Sequence, residues 1–222
     1  MSSTSTLVSG ALLLAMSSGG VAPSLRVWAM QPPPAPALDN AYVRITRNDA
    51  PCAAGAAGDC GDRVVVALGA VTMTTVTGMK RTLSRGDIEV AGAGQRYSVP
   101  TGGPFVEVAF KPGHPPVKGP KERIPPEKNT IVYDGPRFFV FEEKLEPGDS
   151  RAKHSHAQRV VVTLNETTLE QDQFGEVEPH VVKPQVPDRV GFNEPVVHNA
   201  TNVGRQPLRN IVIELKPDDG GR

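Results

Sequence analysis

The chain has 222 residues, of which 38% are hydrophobic and 22% are charged, so it can build a globular core and wholesale disorder is not expected. Its 24 basic and 24 acidic residues balance, and without a basic stripe there is no electrostatic reason to expect nucleic acid as a partner. The 22 glycines and 22 prolines favour many turns and short strands over long helices.

The N-terminal segment differs from the rest of the chain. A short apolar run at 7–16, followed by small residues, is typical of a secretory signal peptide spanning 1–29. This predicts a periplasmic or secreted protein whose mature chain contains no membrane span. No basic residue precedes the run, so the alternative is that Met30 is the true start and the protein is cytoplasmic. Residues 30–40 are rich in proline and are interpreted as an extended tether.

Cys52 and Cys60 are the only cysteines, and they flank a loop of mainly glycine and alanine. In an exported protein this arrangement predicts a disulfide that closes the loop. A metal-binding pair is the other interpretation, but two thiols with no nearby histidine make a poor zinc site.

Two pairs of segments recur in the same order along the chain, which indicates an internal repeat. Residues 62–68 match residues 158–164, and residues 106–112 resemble residues 211–217. The interval between the paired segments differs modestly, as an insertion in a loop would allow.

The repeat divides the chain into a first copy at 41–113 and a second copy at 136–218, joined by residues 114–135. The joining residues are rich in proline and charge and are interpreted as a surface linker. Within both copies the apolar runs are short and rich in β-branched residues, with turn-forming residues between them. This pattern predicts an all-β fold with few helices.

The second copy contains three histidines that could bind a metal. His154 and His156 precede a strand that begins near Val160, and alternate residues of a strand face the same side. Gln158 is therefore predicted to share their face, whereas Arg159 is predicted to point away. His198 lies near the end of the same copy, where antiparallel folding can bring it beside the pair. Three imidazoles suit one divalent ion, which could be Fe, Mn, Zn, Ni or Cu.

These residues also match a known family pattern. Gly148, followed after five residues by His154-Ser155-His156, resembles the first motif of the cupin family. His198, followed after three residues by Asn202, resembles the end of the second motif. The resemblance covers the second copy well and the first copy only as a fold. It implies two tandem double-stranded β-helix barrels of the jelly-roll type, with a metal bound by the three histidines of the second barrel.

The second copy departs from the family pattern at one ligand. The family normally has a glutamate three or four residues after the second histidine, and these positions are Val160 and Val161 here. Gln158 is the nearest polar group predicted to face inward, so it is a candidate for a weak fourth ligand or for a group that positions a bound water.

The first copy has no matching histidines. Aligning Arg63 with Arg159 places Gly58 and Cys60 opposite the two histidines of the first motif. This copy is therefore expected to lack a metal site and is interpreted as a degenerate, structural partner of the second copy.

Three functions fit the sequence. The leading hypothesis is a metal-dependent enzyme of oxygenase, isomerase or lyase type that acts on a small organic molecule, because a three-histidine site leaves coordination positions open. No general base is evident from spacing, which favours the alternative of a non-catalytic periplasmic module that binds a small ligand or a metal. The third reading is a structural barrel only. The sequence is compatible with a monomer or a homodimer.

Overall fold

The computed structural model describes residues 37–53, 60–120, 124–125, 129–175 and 180–217. Within these ranges the chain forms sixteen β-strands and no helix, which confirms the prediction of an all-β fold. These ranges contain no helix that is long and apolar enough to cross a membrane. The predicted signal peptide at 1–29 lies outside the described residues.

The strands are short, as the sequence predicts. The first half contains β1 (Leu38–Asp39), β2 (Val43–Arg47), β3 (Arg63–Ala67), β4 (Val71–Thr74), β5 (Lys80–Leu83), β6 (Ile88–Ala91) and β7 (Phe105–Phe110). The second half contains β8 (Asn129–Asp134), β9 (Phe138–Leu145), β10 (Ser150–His156), β11 (Arg159–Thr163), β12 (Thr167–Asp172), β13 (His180–Gln185), β14 (Val190–Asn193), β15 (Val196–Asn202) and β16 (Leu208–Leu215).

Each half contributes a five-stranded sheet with the same strand order. The first runs β1-β2-β7-β3-β6, and the second runs β8-β9-β16-β11-β14. The registers also correspond, because Val65 pairs with Glu107 in the first sheet and Val161 pairs with Val212 in the second. The repeat in the sequence is therefore a repeat of structure.

The remaining strands differ between the halves. In the second half they form a four-stranded sheet of order β10-β15-β12-β13, whereas the first half has only the β4-β5 pair. The position of β10 corresponds in the first half to the segment of Cys52 and Cys60, whose sulfur atoms are bonded at 2.13 Å. The described residues thus give the second half two large sheets and the first half one large sheet and one strand pair, so the two halves are less alike than two complete tandem barrels would be.

An apolar layer between the two five-stranded sheets forms the main core. Val64 from β3 and Val160 from β11 are both fully buried in it. The rings of Phe110 and Phe138, one from each half, stack with their centroids 4.5 Å apart. Burying a side chain of this kind stabilises the fold by about 1.5–3 kcal/mol, so each half depends on the other for much of its stability.

The segment predicted as a linker is shorter than 114–135. Its last residues form β8, which pairs with β9 at the edge of the sheet. Ile131 and Val132 of this strand are exposed, so β8 lacks the alternation of buried and exposed residues by which an edge strand is recognised in a sequence. At the other end, β1 begins inside the predicted tether at 30–40.

The interior of the first half contains the buried carboxyl group of Glu107. Glu107 is 1% exposed, and the Tyr97 hydroxyl donates a hydrogen bond to it. Burial raises the pKa of Glu107 from 4.5 to about 7, although the nearby Arg63 guanidinium opposes the shift. The native state therefore retains a proton that the unfolded chain releases. The free energy of unfolding is expected to fall as the pH rises from about 4.5 to about 7.

Candidate metal centre

The two antiparallel strands β10 and β15 bring the predicted histidines together. His154 pairs directly with His198 across these strands. His156 lies two residues further along β10 and so faces the same side as His154. A register shift between Arg151 and His154 locally interrupts the pairing just before the histidines.

The three imidazole rings form one buried cluster. The ring centroids are 4.4 Å apart for His154 and His198, 4.9 Å for His154 and His156, and 5.4 Å for His156 and His198. Each residue offers a ring nitrogen, and these atoms all lie within 4.8 Å of one another. None of the three residues is more than 5% exposed. A single ion placed among the rings would be within reach of all three.

Hydrogen bonds orient two of the rings towards this common point. The Nδ1 atom of His156 lies 2.7 Å from Oε2 of Glu214, and the Nδ1 atom of His154 lies 2.7 Å from the Ala152 carbonyl oxygen. Both partners are acceptors, so each ring carries its proton on Nδ1 and keeps the Nε2 lone pair free. A carboxylate behind a histidine is the usual support of a metal ligand.

Several ring nitrogens in the cluster are buried without a protein partner. Among the described residues, Nε2 of His154 and both ring nitrogens of His198 make no hydrogen bond. Leaving a buried polar group unsatisfied costs about 1–3 kcal/mol. A bound cation would satisfy Nε2 of His154 and one nitrogen of His198, so the donor set fits a divalent metal.

The electrostatic environment keeps the imidazoles neutral. Burial lowers the pKa of His154 and of His198, and for His198 the two neighbouring imidazoles lower it further. Burial also lowers the pKa of His156 well below its ordinary value, with the Arg159 guanidinium as the next cause. Neutral imidazole is the form that binds metal ions, so the site does not have to lose protons near neutral pH.

Comparison with solved structures finds several that resemble the chain at low sequence identity. No protein-family model and no curated protein matches the chain. Among solved structures, a cupin domain from Bordetella pertussis is 25% identical over 43% of this chain and 97% of its own, with a TM-score of 0.37. A cupin 2 conserved barrel domain protein from Leptotrichia buccalis is 11% identical over 81% and 86%, with a TM-score of 0.47. Oxalate decarboxylase from Bacillus subtilis is 13% identical over 72% and 63%, with a TM-score of 0.48.

Two of these three solved structures are cupin proteins, the family that the sequence motifs resemble. In the second half, His154, His156 and His198 lie together on β10 and β15, as the motifs predict.

Both polar atoms of the Gln158 side chain make hydrogen bonds to residues other than the three histidines. Its Oε1 atom accepts a hydrogen bond from the Lys118 backbone at 3.0 Å, and its Nε2 atom donates to Oε2 of Glu194 at 2.9 Å. The alternation fails here because β10 ends at His156 and β11 begins at Arg159, in a different sheet. Both ends of the amide are occupied, which argues against the interpretation of Gln158 as a fourth ligand.

The same break between strands reverses the prediction for Arg159. Its side chain lines the cavity beside the histidines instead of pointing away from them. Its Nη1 atom donates to the carbonyl of the second residue before it, at 3.3 Å, and to the Glu194 carbonyl at 2.9 Å. Arg63 makes the same pair of bonds in the first half, to the second residue before it and to Gln95. Arg159 therefore has a structural role that does not depend on the histidines.

A buried ion pair next to the site was not anticipated from the sequence. The Arg151 guanidinium pairs with Oε1 of Glu143, and Asn210 donates to Oε2 of the same carboxylate at 2.9 Å. Burial alone would raise the pKa of Glu143, but Arg151 and Asn210 hold it below its ordinary value. The alternation along β9 could have predicted that Glu143 is buried, because it lies two residues after the buried Phe141 and so faces the same side.

The histidine cluster borders a cavity of about 450 Å³ in the second half. His156 and His198 line it, together with three cationic side chains, Arg159, Lys183 and Arg189. A volume of this size suits a small organic ligand. His180 is an exposed residue of β13 and does not line the cavity.

Proposed function

We propose that the second half binds one divalent metal ion through His154, His156 and His198, and that the protein is a metal-dependent enzyme acting on a small organic molecule. The observation that carries the proposal is the set of buried ring nitrogens without protein partners, directed at one point beside a ligand-sized cavity. Buried polar atoms normally find a hydrogen-bond partner, and Nε2 of His154 and both ring nitrogens of His198 have none in the described part of the chain.

The chemistry follows from the donor set. Three neutral imidazoles leave coordination positions open for a substrate oxygen, and a divalent ion held there supplies Lewis acidity towards a carbonyl or carboxylate. The protein contributes orientation, since Glu214 and the Ala152 carbonyl fix the rings. The cavity walls hold the substrate next to the imidazoles.

A binding module without turnover is the second candidate, and one observation favours it. The carboxylates nearest the histidines are already engaged, because Glu143 pairs with Arg151, and Glu214 accepts bonds from His156 and from the Ala157 backbone. An engaged carboxylate is a poor general base. Catalysis would then depend on substrates that react once bound to the metal.

Metal analysis of purified variants tests the site. We expect about one equivalent of metal in the wild-type protein after loading with Fe, Mn, Co or Zn, and less than about a tenth in His156→Ala, because one of three ligands is lost. His180→Ala is the matched control, since it removes an exposed histidine outside the cavity. A wild-type protein that retains no metal, with normal folding, would refute the proposal.

Turnover assays separate the enzyme from the binding module. Metal-loaded protein is incubated with keto acids, diketones and phenols, while oxygen uptake and product formation are followed. Activity that disappears on chelation and returns with metal supports the enzyme. Binding of these compounds without any product supports the module.

We also propose that the protein is exported to the periplasm or secreted. The Cys52–Cys60 disulfide fits an oxidising compartment. Fractionation of the native host, with mass spectrometry of the N-terminus, tests this proposal. A mature chain that begins near residue 30 in the exported fraction is the expected result, and an intact chain in the cytoplasm would contradict it.

A further inference from the structure

The repeat supplies an internal comparison for the walls of the cavity. Glu89 of β6 pairs with Val65, and Gly191 of β14 pairs with the corresponding Val161. Glu89 and Gly191 are therefore equivalent positions. By the same registers, Arg81 of β5 corresponds to Lys183 of β13.

In the first half these equivalent positions form an ion pair. Nη1 of Arg81 lies 3.8 Å from Oε2 of Glu89, and Oε1 of Glu89 accepts a hydrogen bond from the Val76 backbone at 3.0 Å. The glutamate thus neutralises the cation and occupies the space between the strands.

In the second half the glutamate is replaced by glycine. A Cβ atom built on Gly191 would have no heavy atom within 4 Å, so the position is open. Lys183 and Arg189 are exposed residues. Neither takes part in an ion pair in the described part of the chain, and the Asp188 carboxylate next to Arg189 pairs with Arg85 instead. Both cations line the same cavity as His156 and His198.

Interior positions of the first half are also replaced by more polar residues in the second half. Leu83 and Phe105 lie in the apolar interior of the first half. The residues at the equivalent positions of the second half are Gln185 and Asn210, and both line the cavity. The second half has therefore exchanged a packed apolar interior for an open polar one, and the exchange includes the loss of a negative charge.

In the described part of the chain, the two carboxylates that line the cavity make contacts other than with these cations. Glu143 is paired with Arg151, and Glu194 accepts the amide of Gln158. We infer that the cavity takes a small organic anion, a carboxylate, that reaches from the three-histidine site to Lys183 and Arg189. This inference rests on the proposed metal site and names the chemical class of its ligand. Arg159 positions the backbone, as Arg63 does in the first half.

Restoring the lost glutamate gives a direct test. Co²⁺-loaded protein is titrated with malonate, and with uncharged malonamide, while the visible spectrum of the cobalt is followed. Gly191→Glu recreates the ion-pair partner of the first half, and Gly191→Gln fills the same space without charge. We expect malonate to bind at least about tenfold more weakly to Gly191→Glu than to Gly191→Gln, because a charge-assisted contact is removed. Lys183→Gln should weaken malonate binding similarly.

The controls keep this inference separate from the proposed function. Cobalt content is measured before and after each titration, and we expect it to be equal in the wild type and in all three variants. Malonamide should bind poorly to each of them. Equal malonate affinity in Gly191→Glu and Gly191→Gln, with full cobalt content, would overturn the inference and leave the metal site standing. A wild-type protein without cobalt would instead refute the metal site itself.

Discussion

Glu214 is the residue through which the metal affinity is most directly tested without removing a ligand. Its two carboxylate oxygens accept from Nδ1 of His156 at 2.7 Å and from the Ala157 backbone at 2.9 Å. In Glu214→Gln only one oxygen remains to serve two donors. If the amide oxygen keeps Ala157, the amide nitrogen faces His156 and favours the tautomer with its proton on Nε2. In that tautomer Nε2 has no lone pair to offer a metal, and the lone pair on Nδ1 is held by the amide.

The loss of metal affinity in Glu214→Gln can be estimated from the donor that is left without an acceptor. A buried donor left unsatisfied costs about 1–3 kcal/mol, and loss of a group supporting a metal ligand typically weakens metal affinity by about 10–100-fold. The two estimates agree, since that range corresponds to about 1.4–2.8 kcal/mol. We therefore expect the dissociation constant for Zn²⁺ or Co²⁺ to rise by this factor in Glu214→Gln.

Competition with a chelator of known affinity measures the constant. Glu142→Gln is the matched control. Glu142 lies on β9, the strand that pairs with the Glu214 strand β16, and it pairs with Arg209 away from the histidines. It should bind metal as the wild type does. An unchanged constant in Glu214→Gln, with a normal far-ultraviolet spectrum, would show that the carboxylate does not orient His156 for a metal.

Three further predictions concern stability. Glu107→Gln should be more stable than the wild type at pH 8 by up to about 3 kcal/mol and nearly equal at pH 4.5, as measured by urea unfolding, because the raised pKa penalises only the ionised native state. Arg151→Met should lose about 3–5 kcal/mol in the same assay, since it leaves the Glu143 carboxylate buried without its cation. Cys52→Ser should lose about 2–3 kcal/mol, because the bond to Cys60 no longer restricts the unfolded chain; thermal unfolding with and without reductant checks this.

The sequence predicted the features that depend on local pattern. Alternation within one strand placed His154 and His156 on one face, and the repeat of the Arg63 and Arg159 segments anticipated the matching strand orders. Both follow from residues close together in the chain or from direct similarity, so neither requires knowledge of packing.

The errors arose where the chain changes sheets. Gln158 and Arg159 were assigned faces by continuing the alternation of β10, but β11 belongs to another sheet and starts a new alternation. The Glu143–Arg151 pair was missed for a related reason, since its partners lie on different strands and only tertiary packing brings them into contact. The location of a strand boundary, more than the identity of the residues, limited the prediction of the site.

The shared layer around Phe110 and Phe138 restricts how this protein can be divided. A fragment carrying only the histidine half would present one whole side of its sheet, including Val160 and Ile213, to water. Such an exposed apolar surface favours association, so the fragment would aggregate or pair with a second fragment through it. The first half therefore shields the apolar side of the second half's sheet from water.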